Sequence, residues 1–356
     1  MTRLFIPGPT DVAPETLETM QRPMIGHRSQ EFIDLFARIQ ANLKQVFQTH
    51  SRVFVTASSG SGLFEGAMRN CVAQRALVCE CGIFGQRWYD AALRNGIPSD
   101  FISSEWGFPN LPDQIESALE KNAYDVLIVV HNETSTGIEN PIAEIAARAR
   151  SMQPDLVIMV DAVSSVGGVQ IKPVEWDLDV VVTSSQKCFA LPPGLAFASV
   201  SERAMQRART IEQRGWYFDF LLLEDWLQKN FTPATPSISL LYALDHQLDR
   251  ILDEGLQARF ARHAAMATLV HEWGKERFAL FAAEGYRSKT VTTIRNTRQI
   301  DVPELNTYLA RQDMLLADGY GPLKGITFRI GHMGETRTQD VQKLLDHIDK
   351  FLDINA

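Results

Sequence analysis

Four cysteines in 356 residues are too few to staple a chain of this length, so a small disulfide-held or metal-held module is excluded. Cys79 and Cys81 lie two residues apart in the apolar stretch 76–82, where a strand puts both on one face and packing is their expected role. The eight histidines show no H-E-x-x-H pattern and the cysteines no paired C-x-x-C spacing, so no metal site is expected. No apolar run approaches the roughly 18 residues of a membrane-spanning helix; Val126 to Val130 and Leu156 to Val160 have the length of strands. Lysine and arginine number 35 against 43 acidic residues, a formal charge of −8, with no basic run. Neither nucleic acid nor an acidic membrane is then an expected partner, and a small molecule is. Glycine and proline, at 22 and 16 residues, are too sparse for a fibrous or disordered chain. Prolines at 7 and 9 interrupt the N-terminus before a signal core develops, and Ile354-Asn355-Ala356 is no address tag, so a cytoplasmic location is expected.

The length leads to an expectation of two domains, at roughly 150 residues each. From about residue 52 to 200, short β-branched runs alternate with helix-like stretches, the pattern of a mostly parallel sheet wound with crossovers. The strands expected are Val53 to Thr56, Ala76 to Cys81, Asp125 to His131, Leu156 to Asp161, Val180 to Thr183 and Leu195 to Val200. Several run into polar residues: Thr56 into Ser58-Ser59-Gly60-Ser61-Gly62, His131 into Asn132-Glu133-Thr134, and Thr183 into Ser184-Ser185-Gln186-Lys187. Ligands bind outside the carboxyl ends of open parallel sheets, so these clusters converge on one candidate site. Beyond Pro236, Leu240, Leu244, Leu248 and Leu252 mark a long helix. The remainder, with strands at Thr290 to Ile294 and Ile326 to Ile330, reads as a smaller α+β domain. The expected division is an N-terminal arm 1–20, a large domain 21–245 and a small domain 246–356.

Three features carry chemistry. Ser59-Gly60-Ser61-Gly62 follows a strand and opens a helix, where exposed backbone amides and small side chains make a phosphate site. Its glycines miss the dinucleotide fingerprint by one residue, so a phosphate monoester fits better. Asp161 ends an apolar strand, where an anion needs a cationic partner. Lys187 follows the next strand, where apolar surroundings can lower its pKa and make it a Schiff-base nucleophile. Each has a plain structural reading as turn, cap or surface amine; together they form the set that pyridoxal phosphate requires.

In this setting the whole chain resembles the class V aminotransferases of the fold-type I pyridoxal-phosphate enzymes. The resemblance is carried, in order, by Pro7-Gly8-Pro9-Thr10, Ser59-Gly60-Ser61-Gly62, Gly82-Ile83-Phe84-Gly85-Gln86-Arg87, Asn132-Glu133-Thr134-Ser135-Thr136-Gly137, Asp161-Ala162-Val163-Ser164-Ser165, Ser185-Gln186-Lys187 and Phe328-Arg329-Ile330-Gly331. It implies an α/β fold with a mostly parallel, seven-stranded large domain and a smaller C-terminal α+β domain. It implies that Lys187 holds pyridoxal 5'-phosphate as a Schiff base and shuttles the substrate α-proton, and that Asp161 pairs with the pyridinium nitrogen. It further places Phe84 and Val163 on the two ring faces, Thr134 near the phenolic oxygen, and Ser61, Gly62, Leu63 and Gln186 at the phosphate. Thr232 and Thr235 lie in a segment resembling the one that reaches the phosphate of a neighbouring subunit, which implies a homodimer with shared sites. Arg329 resembles the arginine that binds the substrate α-carboxylate, with Gly8, His27 and Arg28 also on the substrate side.

By motif, the chain looks most like the alanine- and serine-to-glyoxylate or pyruvate group, which implies a ping-pong exchange between a small amino acid and a 2-oxo acid. The segment around His27 and Arg28, and the tripeptide Asn132-Glu133-Thr134, also resemble phosphoserine aminotransferases, so phosphoserine:2-oxoglutarate transfer is the alternative. A lyase of the cysteine desulfurase type is less favoured, because Gln186 rather than histidine precedes Lys187 and no cysteine follows Cys188.

Overall fold

A computed structural model describes residues 2–354 of the chain. Its strands are β1 (Arg3–Phe5), β2 (Arg52–Ala57), β3 (Ala76–Glu80), β4 (Ser99–Ser103), β5 (Val126–Val130), β6 (Asn132–Glu133) and β7 (Ile138–Glu139). They continue as β8 (Val157–Asp161), β9 (Val180–Ser184), β10 (Leu195–Val200), β11 (Ala279–Leu280), β12 (Val291–Arg295), β13 (Met314–Asp318) and β14 (Thr327–Gly331).

Seven strands form one sheet in the order β2-β10-β9-β8-β5-β3-β4. Neighbours run parallel from β9 to β4, and β10 lies antiparallel to both β9 and β2. Its inner strands are unbroken apolar runs because both faces are covered. Leu127, Val129, Ile158 and Val160 point into one core while Val126, Ile128, Val157 and Met159 point into the other, as the two-residue strand period requires. On one face lie the helices Gln30–Val46 and Ile238–Glu254; on the other, Gly60–Cys71 contributes Leu63, Phe64, Ala67 and Met68.

A second sheet has the order β1-β13-β14-β12-β11 and its own core around Phe5, Val270, Ile294, Phe328 and Leu344. Its edge strand comes from the far end of the chain: Arg3, Leu4 and Phe5 pair in parallel with Met314, Leu315 and Leu316. Register in the large sheet sets Val130 opposite Asp161 and Asp161 opposite Val182, so the polar strand ends finish at one level. The first turn of the helix Gly60–Cys71 opens beside them.

Candidate active site

A cavity of about 380 Å³ lies at the carboxyl ends of the large-sheet strands. It is lined by Pro7 and Gly8 from the N-terminal segment, Ser59 to Ser61, Phe84, Arg87 and Trp88, strand-end residues including Asp161, Ser184 and Lys187, and Tyr320 and Arg329 from the second sheet. The position follows the rule for open parallel sheets, in which strand ends and helix N-termini leave polar groups facing a common crevice.

Asp161 closes β8 with its carboxylate held on both oxygens. Trp88 donates its indole N–H to Oδ2 at 2.8 Å and the Val163 amide donates to Oδ1 at 2.9 Å. Burial raises its pKa from the ordinary value, against the pull of those two donors, Lys187 and Arg87. A cationic partner in the cavity would reverse that shift. Lys187 donates from Nζ to the Pro7 carbonyl. Burial lowers its pKa to about 8, with Arg329 and Arg87 pushing the same way and Asp161 opposing. The lysine is fixed from behind, since the Thr10 hydroxyl donates to the Lys187 carbonyl at 3.0 Å and the Thr10 amide to the Gln186 carbonyl at 3.1 Å.

At the other end of the cavity, Ser59 caps the helix Gly60–Cys71 by accepting from the Gly62 amide at 3.4 Å. A Cβ on Gly60 would stand 2.6 Å from Val163 Cγ2, so only glycine lets this turn approach the strand ends. Beside it, Ser184 Oγ and Gln186 Oε1 are buried without a hydrogen-bond partner. Buried polar atoms in that state cost stability unless a ligand satisfies them. An unpartnered Ser184 hydroxyl at a helix N-terminus, with a buried carboxylate and a low-pKa amine lining the same cavity, is an arrangement that fits pyridoxal phosphate.

Arg329 sits on β14 opposite Thr293 and Ala317. Its Nε donates to the Asp318 carbonyl at 3.0 Å and Nη1 to the Thr134 carbonyl at 3.5 Å. No carboxylate among the described residues pairs with it, so the fork has unused donors at the cavity. Burial lowers its pKa from the ordinary value. Thr134 shares a 3.0 Å hydrogen bond with the Ser164 hydroxyl.

The structure thus brings Gly8, Ser61, Phe84, Thr134, Asp161, Val163, Gln186, Lys187 and Arg329 together around one cavity. Gly62 and Leu63 stand just behind it: the Gly62 amide is engaged by Ser59, and the Leu63 side chain is fully buried in the apolar core. Thr232 and Thr235 line a separate hollow with Trp216 and Tyr217, and the Thr232 hydroxyl donates to the Ala234 carbonyl. Arg28 joins that region, its guanidinium 4.3 Å from the Trp226 ring and its Nη2 donating to the Pro233 carbonyl. His27 and Arg28 do not line the cavity of their own chain.

Sequence reasoning assigned no role to Trp88, Arg87, Glu133, Ser184 or Tyr320. A local signal existed for two of them: Arg87 and Trp88 fall three and four residues after Phe84 on the helix Ile83–Arg94, hence on its face. Glu133 is fully buried and accepts from the Phe84 and Gly85 amides and from the amide and hydroxyl of Ser135, which locks the start of that helix. Burial pushes its pKa up to about 7 against those donors. Among the described residues no group of three His, Cys, Asp or Glu side chains is placed to hold a metal, and no helix is long and apolar enough to cross a membrane.

The seven-stranded, mostly parallel sheet with a cavity at its carboxyl ends defines an α/β scaffold, and comparison with known proteins gives its family. The class-V aminotransferase family model matches residues 7–337, and the chain belongs to that family. It is 33% identical to the L-aspartate–glyoxylate aminotransferase of Paracoccus denitrificans and 32% identical to the serine–glyoxylate aminotransferase of Methylorubrum extorquens, covering 93% of this chain and 86% of each relative. The crystal structure of an alanine–glyoxylate aminotransferase from Nostoc sp. superposes with a TM-score of 0.92 at 29% identity, over 99% of this chain and 96% of that one. The protein is a class V aminotransferase with the α/β fold of that group.

Proposed function

We propose that the protein transfers the amino group of a small amino acid, alanine or serine, to a 2-oxo acid, glyoxylate or pyruvate, in a ping-pong reaction using pyridoxal 5'-phosphate. The observation that carries this reading is that a low-pKa Lys187 and a buried Asp161 line one cavity with the unpartnered Ser184 hydroxyl and a helix N-terminus. When bound, the cofactor supplies an aldehyde that captures the amine and a ring that draws electrons from the substrate α-carbon.

Lys187 would hold the cofactor through Nζ, and that amine, when free, is the base placed to take the substrate α-proton and return it. Asp161, whose carboxylate Trp88 orients, would pair with the ring nitrogen and favour its protonated form. Phe84 and Val163 would bound the ring faces, and Thr134, which lines the same cavity, would meet the phenolic oxygen. Ser61 and Gln186 would hold the phosphate at the N-terminus of the helix Gly60–Cys71, with Gly62 and Leu63, their amides bonded to Ser59, shaping the turn behind it. The Arg329 fork binds the α-carboxylate and so fixes the bond to be broken, and Gly8 leaves room for Lys187 to move.

Thr232, Thr235, His27 and Arg28 lie away from the cavity of their own chain, and we assign them to the site of a second copy in a homodimer. Trp216 and Tyr217, both exposed beside the two threonines, support a covered surface there. We assign an arm at 1–20, a large domain at 21–245 and a small one at 246–356; the two sheet cores support the division into two, with Leu248 and Ile251 still packed on the large core and Phe5 of the arm on the small one. Four free, buried thiols suit a cytoplasmic protein.

The test is a half-reaction screen of purified holoenzyme, following the visible absorbance of bound cofactor with alanine, serine, phosphoserine, glutamate and aspartate presented singly. Conversion by alanine or serine is expected. Preference for phosphoserine and glutamate would replace this substrate reading and put His27 and Arg28 on the substrate phosphate. Failure of every amino acid would overturn the proposed reaction.

A further inference from the structure

Tyr320 stands just after β13, between two glycines that determine where its ring goes. A Cβ on Gly319 would collide with the Leu323 carbonyl, and Gly321 has φ +59° with its Cβ position 2.9 Å from Ile83 Cδ1. The turn is therefore pressed against the start of the helix Ile83–Arg94 on the large-sheet side. From there the ring faces the cavity. It stacks parallel to Phe84, with centroids 5.9 Å apart and planes 5° apart. Its hydroxyl accepts from Arg87 Nη2 at 3.0 Å, and the Arg329 guanidinium lies 5.2 Å from its centroid.

One side chain of the second sheet thus touches the ring proposed to stack on the cofactor, the guanidinium proposed to grip the substrate carboxylate, and a second arginine. Three simultaneous contacts make the ring costly to displace, since moving it forfeits a stack, a hydrogen bond and a cation–π contact together. A substrate carboxylate held by Arg329 would be bound next to this ring, since both side chains line one cavity and the guanidinium is 5.2 Å from the ring centroid.

We infer that Tyr320 sets the length limit on the amino donor: it closes the space beside Arg329 and restricts the enzyme to donors with short side chains. The inference rests on the aminotransferase reading above and adds the residue that selects among donors. Tyr320 is 37% exposed, and its contacts with Phe84, Arg87 and Arg329 rather than burial fix the ring; an aromatic wall so fixed discriminates by about 10- to 200-fold per methylene.

The experiment compares kcat/KM for alanine, 2-aminobutyrate and norvaline in wild-type holoenzyme, Tyr320→Ala and Tyr320→Phe, with cofactor loading checked by visible absorbance. Wild type is expected to fall at least tenfold for each added methylene. Tyr320→Ala is expected to raise the norvaline-to-alanine ratio at least tenfold, and Tyr320→Phe, which keeps the wall and loses only the Arg87 bond, to retain the steep fall. If Tyr320→Ala fails to load cofactor, Tyr320→Val carries the same comparison. A purely structural tyrosine would lower all three donors in proportion, and an unchanged ratio in the truncated variant overturns the inference while leaving the aminotransferase reading intact. Absence of conversion by any donor in wild type would remove that reading and this inference with it.

Discussion

Gly8 and Lys187 are in such close approach that a Cβ on Gly8 would lie 2.6 Å from the lysine Nζ and 2.7 Å from its Cδ, so the lysine tip would have to move. Gly8 also has φ +125°, a conformation L side chains rarely adopt. The N-terminal segment can therefore cross the catalytic lysine only where it has no side chain. Gly8→Ala is expected to displace the amine and lower kcat by about 100-fold, the effect of roughly 1 Å of misplacement at a reacting group. Steady-state kinetics of the loaded variant would check this, and a loss under twofold would contradict it.

The amine of Lys187 should capture the cofactor with a distinctive pH dependence. Only its neutral form attacks an aldehyde, and burial brings the pKa from 10.5 to about 8. Adding pyridoxal phosphate to cofactor-free protein should give a binding rate that rises with pH and is half-maximal near pH 8. A midpoint near 10 would show an unperturbed lysine.

Asp161→Asn keeps the shape of the side chain and removes its charge. The amide can still accept from Val163, but it presents N–H groups to the Trp88 indole or to a protonated ring nitrogen. A fall in kcat/KM of about 10- to 100-fold is expected, in line with about 1.5–3 kcal/mol for a charge-assisted hydrogen bond. Trp88→Phe should cost less, because it removes one neutral donor and leaves the carboxylate.

Glu133 predicts a stability effect that reaches the site through the helix Ile83–Arg94. In Glu133→Gln one of the two acceptor oxygens becomes an NH₂ facing donors, either the Phe84 and Gly85 amides or Ser135. A loss of about 2–3 kcal/mol is expected, read as a lower melting temperature of the holoenzyme. Equal melting temperatures would mean that the buried carboxylate does not anchor the helix.

Much of the large sheet is legible in the sequence because strands covered on both faces become apolar runs with polar ends. Val157–Asp161 and Leu195–Val200 are of this kind. Ser99–Ser103 is not: it is the outer strand, its burial is partial, and Ser-Asp-Phe-Ile-Ser carries no run to recognise. Arg3–Phe5 escapes because it is three residues long and is a strand only by pairing with Met314–Asp318, and the latter because Met-Leu-Leu-Ala suits a helix as well as a strand. At the site, Asp161 and Lys187 are readable from their places after apolar strands, and the helix N-terminus from its serines and glycines.

What the amino-acid sequence determines alone is the kind of chemistry: which residue types end which strands, and where a glycine turn opens a helix. These are local consequences of side-chain periodicity and backbone freedom. Only the tertiary structure decides what faces what. Lys187 meets the Pro7 carbonyl from 180 residues away, and Arg87 meets Tyr320 across 233. Such contacts arise from how the two sheets pack, and chain-local pattern carries no record of that packing. The limit on the amino donor that we assign to Tyr320 belongs to this second kind of information, because it exists only where the two sheets meet.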